Sequence, residues 1–198
     1  MITKNLGNSG HAGLRAVAVA VAACLLVLSL GACRAAVRPF VRLAPDYKDV
    51  PADTLAAVAL EIERAVKEAN RTPDIPDRDN LVLSPAVRQA IRSRAARVEL
   101  IDALRASGFA WERRRGLVET IRSGEYKRAT TSRERDRNAI LVMSENDDRW
   151  TIYEGIVDAN NFPRNALSAV QLTFHEARVQ LLASGQFYEA PAGERVAK

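Results

Sequence analysis

A run of fifteen uncharged residues near the N-terminus, AVAVAVAACLLVLSL over residues 16–30, limits how much of this chain can enter a folded domain. Lys4 and Arg15 precede the end of this region's basic stretch, and no acidic residue occurs before Cys33, which is the pattern of a secretory signal. The run is shorter than the roughly 20 apolar residues that a membrane-spanning helix needs. We therefore predict that residues 1–32 are a signal peptide and take no part in the mature fold.

The apolar run ends in Leu30-Gly31-Ala32-Cys33, which resembles the lipobox of bacterial lipoproteins. The resemblance implies cleavage before Cys33 and acylation of that cysteine with lipid chains such as palmitate, which would hold the protein on a membrane. A short transmembrane anchor and an ordinary signal cleaved nearby are the alternatives. Arg34, rather than an aspartate, follows the cysteine, and enteric-type sorting would then favour the outer membrane, facing the periplasm.

Removal of the signal changes the composition that remains. The chain has a formal net charge of +5, and loss of Lys4 and Arg15 reduces it to +3. Cys24 lies within the apolar run, so Cys33 is the only cysteine of the mature chain, and its thiol is acylated. We therefore expect neither an intramolecular disulfide nor thiol chemistry.

The mature chain begins with a proline-containing segment, residues 33–52, that carries Pro39, Pro45 and Pro51. Proline removes a backbone donor and disfavours helix in the residue before it, so this segment is predicted to be an extended tether. Residues 53–198 form the predicted folded domain.

The domain has apolar residues at three- and four-residue intervals, which predicts helices. The first begins at Asp53 or Thr54 as N-cap and ends near Asn70, and the second begins at Ser84-Pro85 and ends at Gly108. A third spans residues 132–160 and a fourth ends at Gly185, whereas residues 109–131 are less regular. With no alternating strand pattern and no visible internal repeat, we predict an all-α fold, a mostly antiparallel bundle of about four helices.

Few residues offer catalytic chemistry. His175 is the only mature histidine, and Val179 stands where a His-Glu-x-x-His motif needs its second histidine. We expect His175 to be exposed or partly packed, and we predict no catalytic, cofactor-binding or metal site. The acidic residues of the third helix are predicted to lie on a solvated face: Glu145, Asp147, Asp148 and Asp158. An envelope hydrolase acting on peptidoglycan or lipid, with His175 or an acidic pair as base, remains the alternative.

Arginines are concentrated in the middle of the chain and alternate with acidic residues. Ten of them fall in three groups: Arg88, Arg92, Arg94 and Arg97; Arg113, Arg114 and Arg115; Arg133, Arg135 and Arg137. This interleaving predicts a helical surface with many salt bridges. A structural lipoprotein that binds polyanions or anionic headgroups is the alternative, whereas export argues against nucleic acid as a partner.

Residues 87–198 resemble the YdbL-like family of small exported proteins. The pattern is Asn146-x-x-Arg149-Trp-x-x-Tyr153-x-x-Ile156-x-x-x-Asn160, followed by Val170, Ala177, Gly185-x-x-Tyr188 and Gly193-x-x-Val196-x-Lys198. The spacing from Arg149 to Asn160 places these side chains on one helix face, where Arg149 can bond a neighbouring helix end and Asn160 can end its own helix. The resemblance implies a non-enzymatic accessory protein of intermembrane phospholipid transport or its assembly, working with an AsmA-like envelope-spanning protein.

Overall fold

Helices and short strands alternate along residues 44–78 and 80–198, the part of the chain that this computed structural model describes. The helices are α1 (Ala52–Lys67), α2 (Pro85–Ala106), α3 (Gly124–Ala129), α4 (Ser132–Ala159) and α5 (Leu167–Leu181), the last preceded by a 3-10 turn, Arg164–Ala166. The strands are β1 (Ala110–Glu112), β2 (Val118–Thr120), β3 (Phe187–Glu189) and β4 (Arg195–Ala197). The predicted signal peptide, the lipid attachment site Cys33 and most of the predicted tether lie outside the described residues.

The prediction of an all-α bundle is wrong, because the four strands form one mixed sheet and the fold is α+β. The strand order is β2-β1-β3-β4: β1 and β3 pair in parallel at the centre, and each pairs with its own hairpin partner on the outside. Each strand has three residues, too few to produce a recognisable two-residue alternation. Two strands fall in the stretch considered irregular and two in the C-terminal tail.

The four long helices follow the apolar periodicity closely. Ser84 caps α2 by accepting a hydrogen bond from the Val87 amide at 3.3 Å, and Pro85 occupies the first helical position, as predicted. Asn160 ends α4, also as predicted. The predicted cap of α1 at Asp53 or Thr54 is wrong, because the helix begins directly after Pro51 without a side-chain cap.

The apolar core lies between these helices. Helix α1 packs on α2 and α5, and α2 packs along α4. The closest approach is at Gly155 of α4, where a Cβ atom would stand 2.5 Å from a methyl carbon of Val87. The central buried residues include Leu55, Ile62, Leu81, Ile91, Ile101, Ile152, Ile156 and Phe174. None of the helices in the described residues is both long and apolar enough to span a bilayer.

The two β-hairpins repeat one local design. Glycines with positive φ occupy matching places before and within each hairpin: Gly108 and Gly116 in the first, Gly185 and Gly193 in the second. One interval along the chain separates each of these pairs, and the same interval separates Glu112 from Glu189. Each hairpin also follows a long helix and a Ser-Gly pair. The expectation of no internal repeat is therefore wrong, and the repeat is hidden because only a few positions of each hairpin recur.

Candidate functional site

Six charged side chains form a closed ring in the interior of the domain. Carboxylates and guanidinium groups alternate around it, and all six side chains are almost completely buried. In order, the members of this charge ring are Glu63 of α1, Arg94 of α2, Glu145 and Arg149 of α4, Glu112 of β1 and Arg178 of α5. Three positive and three negative charges make the ring neutral as a whole.

The contacts around the charge ring are short and directional. Arg94 donates two parallel hydrogen bonds to the two oxygens of Glu63, both at 2.9 Å, and its Nε donates to Glu145 at 2.9 Å. Arg149 donates its Nε to Glu145 at 2.8 Å and its two terminal nitrogens to Glu112 at 2.6 and 3.0 Å. Arg178 closes the ring, with bonds to Glu63 at 2.6 Å and to Glu112 at 3.1 Å.

A backbone carbonyl from the first hairpin completes the arrangement. The Gly116 oxygen accepts hydrogen bonds from Arg149 at 3.2 Å, from Arg178 at 2.9 Å and from the Tyr153 hydroxyl at 2.6 Å. Gly116 has a φ of +76°, and a Cβ there would lie 2.8 Å from the Tyr153 hydroxyl oxygen. Only glycine adopts this conformation without strain and also leaves room for the tyrosine.

The charge ring holds its carboxyl groups ionised. Burial raises the pKa of Glu63, but the positive charges of Arg94 and Arg178 outweigh burial and lower this pKa to about 2. The pKa values of Glu112 and Glu145 are lowered for the same reason, against the effect of burial. At neutral pH these carboxylates have no proton to give, and their oxygens already accept from guanidinium groups.

A cavity of about 360 Å³ ends on one side of the charge ring. Glu63, Arg94, Glu145 and Arg178 form its inner end. Its walls are aliphatic and come from α1, α2, α5 and the segment that follows α5: Val66, Val98, Ile101, Leu181 and Leu182. A cavity with apolar walls and a few polar groups at one end is typical of a small-molecule binding site, and this volume is at the lower limit for such sites.

Arg105 forms part of the cavity wall and connects it to the charge ring. It donates to Glu112 at 2.6 Å and also pairs with Asp102. Its Nε–H is buried and has no hydrogen-bond acceptor among the described residues. An unsatisfied buried donor costs about 1–3 kcal/mol, which makes this nitrogen a position where an acceptor on a bound molecule would be stabilising.

His175 does not belong to this site. It is 5 % exposed, so the expectation of an exposed or partly packed histidine is wrong, and it does not line the cavity. Burial, followed by the charge of Arg178, lowers its pKa to about 4, so the ring is neutral at physiological pH. The adjacent Glu176 is exposed. The two residues therefore do not converge on a pocket, which is what the hydrolase alternative required.

The acidic residues of α4 divide between two environments. Asp147 and Asp158 are exposed, in agreement with a solvated face, and Asp148 pairs with Arg97 at 2.5 Å. Glu145 is buried in the charge ring, so its assignment to the solvated face is wrong. Within residues 44–78 and 80–198, no group of three or more histidine, cysteine or acidic residues is placed to hold a metal ion.

Several of the arginines are used inside the domain. Arg94 is in the charge ring, Arg88 donates to the backbone of Ile75 at 2.6 Å and pairs with Asp77, and Arg113 pairs with Glu119 at 2.6 Å. These contacts agree with the predicted salt bridges, although the prediction placed all of them on the surface. The remaining arginines that are exposed include Arg92, Arg115, Arg133 and Arg137.

No family model, curated protein or solved structure matches this chain. The resemblance to the YdbL-like family therefore stays a prediction from sequence motifs. One residue of that motif, Arg149, contacts a strand carboxylate and a hairpin carbonyl rather than the neighbouring helix end that its spacing suggested.

The sequence did carry a signal for the charge ring, although sequence reasoning missed it. Arg94 falls between Ile91 and Val98 at three- and four-residue intervals, so it interrupts the apolar stripe of α2 at a position that faces the core. Arg178 stands four residues after the buried Phe174. A charged residue at a core-facing position indicates a buried partner of opposite charge.

Proposed function

We propose that this protein is a non-enzymatic, lipid-anchored accessory protein of intermembrane phospholipid transport, or of the assembly of that transport system, in the bacterial cell envelope. The observation that carries this proposal is the aliphatic cavity beside a fully paired charge ring. Such a site is suited to holding a molecule and offers no group poised for proton transfer at neutral pH.

The electrostatics support binding rather than hydrolysis. The Glu112 carboxylate accepts from Arg105, Arg149 and Arg178, and its lowered pKa leaves it ionised, so it cannot act as a general acid near neutral pH. The buried, isolated His175 has no acidic partner directed into a pocket. These features favour a binding protein over the hydrolase alternative.

The N-terminal sequence supports the location. A lipobox-like Leu-Gly-Ala-Cys ending at Cys33 is what membrane attachment through acyl chains requires, and the following Arg34 favours the outer membrane on its periplasmic side. The partner that the YdbL-like motifs suggest is an AsmA-like protein that spans the envelope.

Metabolic labelling tests the anchor. Cells expressing the full chain are grown with radioactive palmitate, and the wild type is compared with Cys33→Ala. We expect label in the wild type, none in the variant, and an unprocessed precursor of larger mass. Label that persists in Cys33→Ala would contradict lipid attachment at this residue. Separation of inner and outer membranes then locates the labelled protein.

Genetic redundancy tests the transport role. Deletion of this protein together with one AsmA-like bridge protein should sensitise the envelope to detergent more than either deletion alone, and wild-type protein should restore resistance. If the double deletion behaves as the more sensitive single deletion does, the transport role is wrong.

A further inference from the structure

The cavity has two chemically different parts. Lys67, Ala103 and Ala106 are exposed residues of its lining, whereas Glu63 and Arg94 are buried, so the cavity extends from the surface to the charge ring. The charge ring is neutral, and Lys67 adds a positive charge near the surface. A molecule that enters meets aliphatic walls first and positive groups among its polar contacts.

The shape and composition of the walls select the apolar part of a ligand. None of the described residues that line the cavity is aromatic, so it offers no surface on which a base or a sugar ring would stack. Aliphatic side chains of Val98, Ile101 and Leu181 bury a flexible hydrocarbon chain by the hydrophobic effect, which needs no specific geometry. The volume of about 360 Å³ suits one chain better than two.

The unmet donor selects the polar part. The Nε–H of Arg105 lacks an acceptor among the described residues, and the two terminal nitrogens of the same guanidinium already bind Glu112 and Asp102. A carboxylate or phosphate oxygen is the strongest acceptor for a guanidinium N–H.

We infer that this cavity binds a single-chain amphipathic anion, with its acyl chain against the aliphatic walls and its carboxylate or phosphate oxygen accepting from the Nε of Arg105. The inference rests on the proposed function for the choice of a lipid. Fatty acids and single-chain phospholipids share this chemistry.

Photocrosslinking of the full lipid-anchored chain in phosphatidylcholine vesicles tests the inference. Three probes carry the same diazirine-labelled acyl chain with different heads: a fatty acid, a lysophosphatidate and an uncharged monoacylglycerol. Labelled peptides are mapped by mass spectrometry, and unlabelled fatty acid or inorganic phosphate is added as competitor.

Two substitutions on α2 form a matched pair. Ala103 is exposed and lines the cavity, so Ala103→Trp obstructs it, whereas Ala96 is exposed on the same helix and does not line it, so Ala96→Trp is the control. Arg105→Gln removes the charge that the head group would contact. Because this third variant also disturbs the pairing of Glu112, its circular dichroism spectrum is compared with that of the wild type, and Ala103→Trp keeps the test decisive if Arg105→Gln does not fold.

We expect both anionic probes to label peptides that contain residues 98–106 and 181–186. Labelling should fall about tenfold in Ala103→Trp, the factor expected for loss of about 1.4 kcal/mol of binding, and stay unchanged in Ala96→Trp. The neutral probe should label about tenfold less than the anionic ones, and Arg105→Gln should remove that difference. Fatty acid should compete, and inorganic phosphate alone should not.

Several results would overturn the inference. Equal labelling in the two tryptophan variants would show that the cavity is not the site, and equal labelling by neutral and anionic probes would remove the anionic head. Displacement of the probe by inorganic phosphate alone would indicate a phosphate site without a role for the chain. Absent labelling together with an intact double-deletion phenotype removes this ligand and leaves the proposed function, whereas labelling without that phenotype does the reverse.

Discussion

Glu112→Gln provides the sharpest test of how the charge ring contributes to stability. Glu112 is completely buried and accepts four hydrogen bonds of 2.6 to 3.1 Å from Arg105, Arg149 and Arg178. Glutamine has nearly the same volume but no charge, and its amide group turns two donors towards guanidinium groups that are themselves only donors. The substitution therefore leaves one buried positive charge uncompensated.

The expected loss is large. Removing one partner of a buried ion pair costs about 3–5 kcal/mol, because the remaining charge stays out of water without compensation. With a urea m-value of about 2 kcal/mol/M, this loss lowers the unfolding midpoint by roughly 1.5–2.5 M. This cost does not measure the net worth of the whole charge ring, which well-packed apolar residues can equal.

Pulse proteolysis in urea measures the midpoint on the membrane-bound protein without purification. The matched control is Glu119→Gln in the neighbouring strand, because its side chain is 53 % exposed and pairs with Arg113, so its loss should cost less than about 1 kcal/mol. The double variant Glu112→Gln/Arg105→Gln restores neutrality and should be less destabilised than the sum of its single variants by about 1–3 kcal/mol. A midpoint in Glu112→Gln that equals that of Glu119→Gln would refute the reasoning.

Three further predictions follow from buried groups and close contacts. His175 has a pKa of about 4 in the folded state against an ordinary value of 6.5, so unfolded chains bind its proton first, and stability should fall by about 2–3 kcal/mol as pH decreases from 6.5 towards 4. His175→Asn should flatten the urea midpoint between pH 6.5 and 4.5, and an unchanged slope would contradict the assignment. Gly155→Ala should cost about 1–3 kcal/mol in the same assay through its contact with Val87, and Val87→Ala in the same chain should recover part of the loss. Gly116→Ala should be more destabilising than Gly185→Ala, since both have positive φ but only the first Cβ would collide with a neighbour, and similar midpoints would contradict this.

The helices could be predicted from the sequence and the sheet could not, for a physical reason. Long helices such as α2 and α4 extend through several turns, and each turn adds another apolar residue to the periodic signal. A three-residue strand such as β1 or β3 has no room for a period, and its central pairing joins residues far apart in the chain, Trp111 and Phe187. Only the glycines of the two hairpins marked these turns in the sequence.

The candidate site was harder to predict because its members are charged. Charged residues in a helix are most often solvated, so Arg94 and Glu145 were assigned to the surface. Their burial depends on partners in other elements, above all Glu63 and Glu112, and a single sequence does not show which elements meet. The position of Arg94 within an apolar stripe was the one local indication, and it pointed to the core rather than to a particular partner.

The connectivity of the charge ring has a consequence for biosynthesis. Glu63 is followed by Arg178 only 115 residues later, and the carboxylate that joins them, Glu112, belongs to a strand whose central neighbour is β3. While the ribosome has yet to add α5, the chain has no counterpart for these buried carboxylates, and the first four helices gain little by closing around them. We expect truncated chains to stay open and sensitive to proteases, so that quality control distinguishes complete from incomplete molecules at this one point.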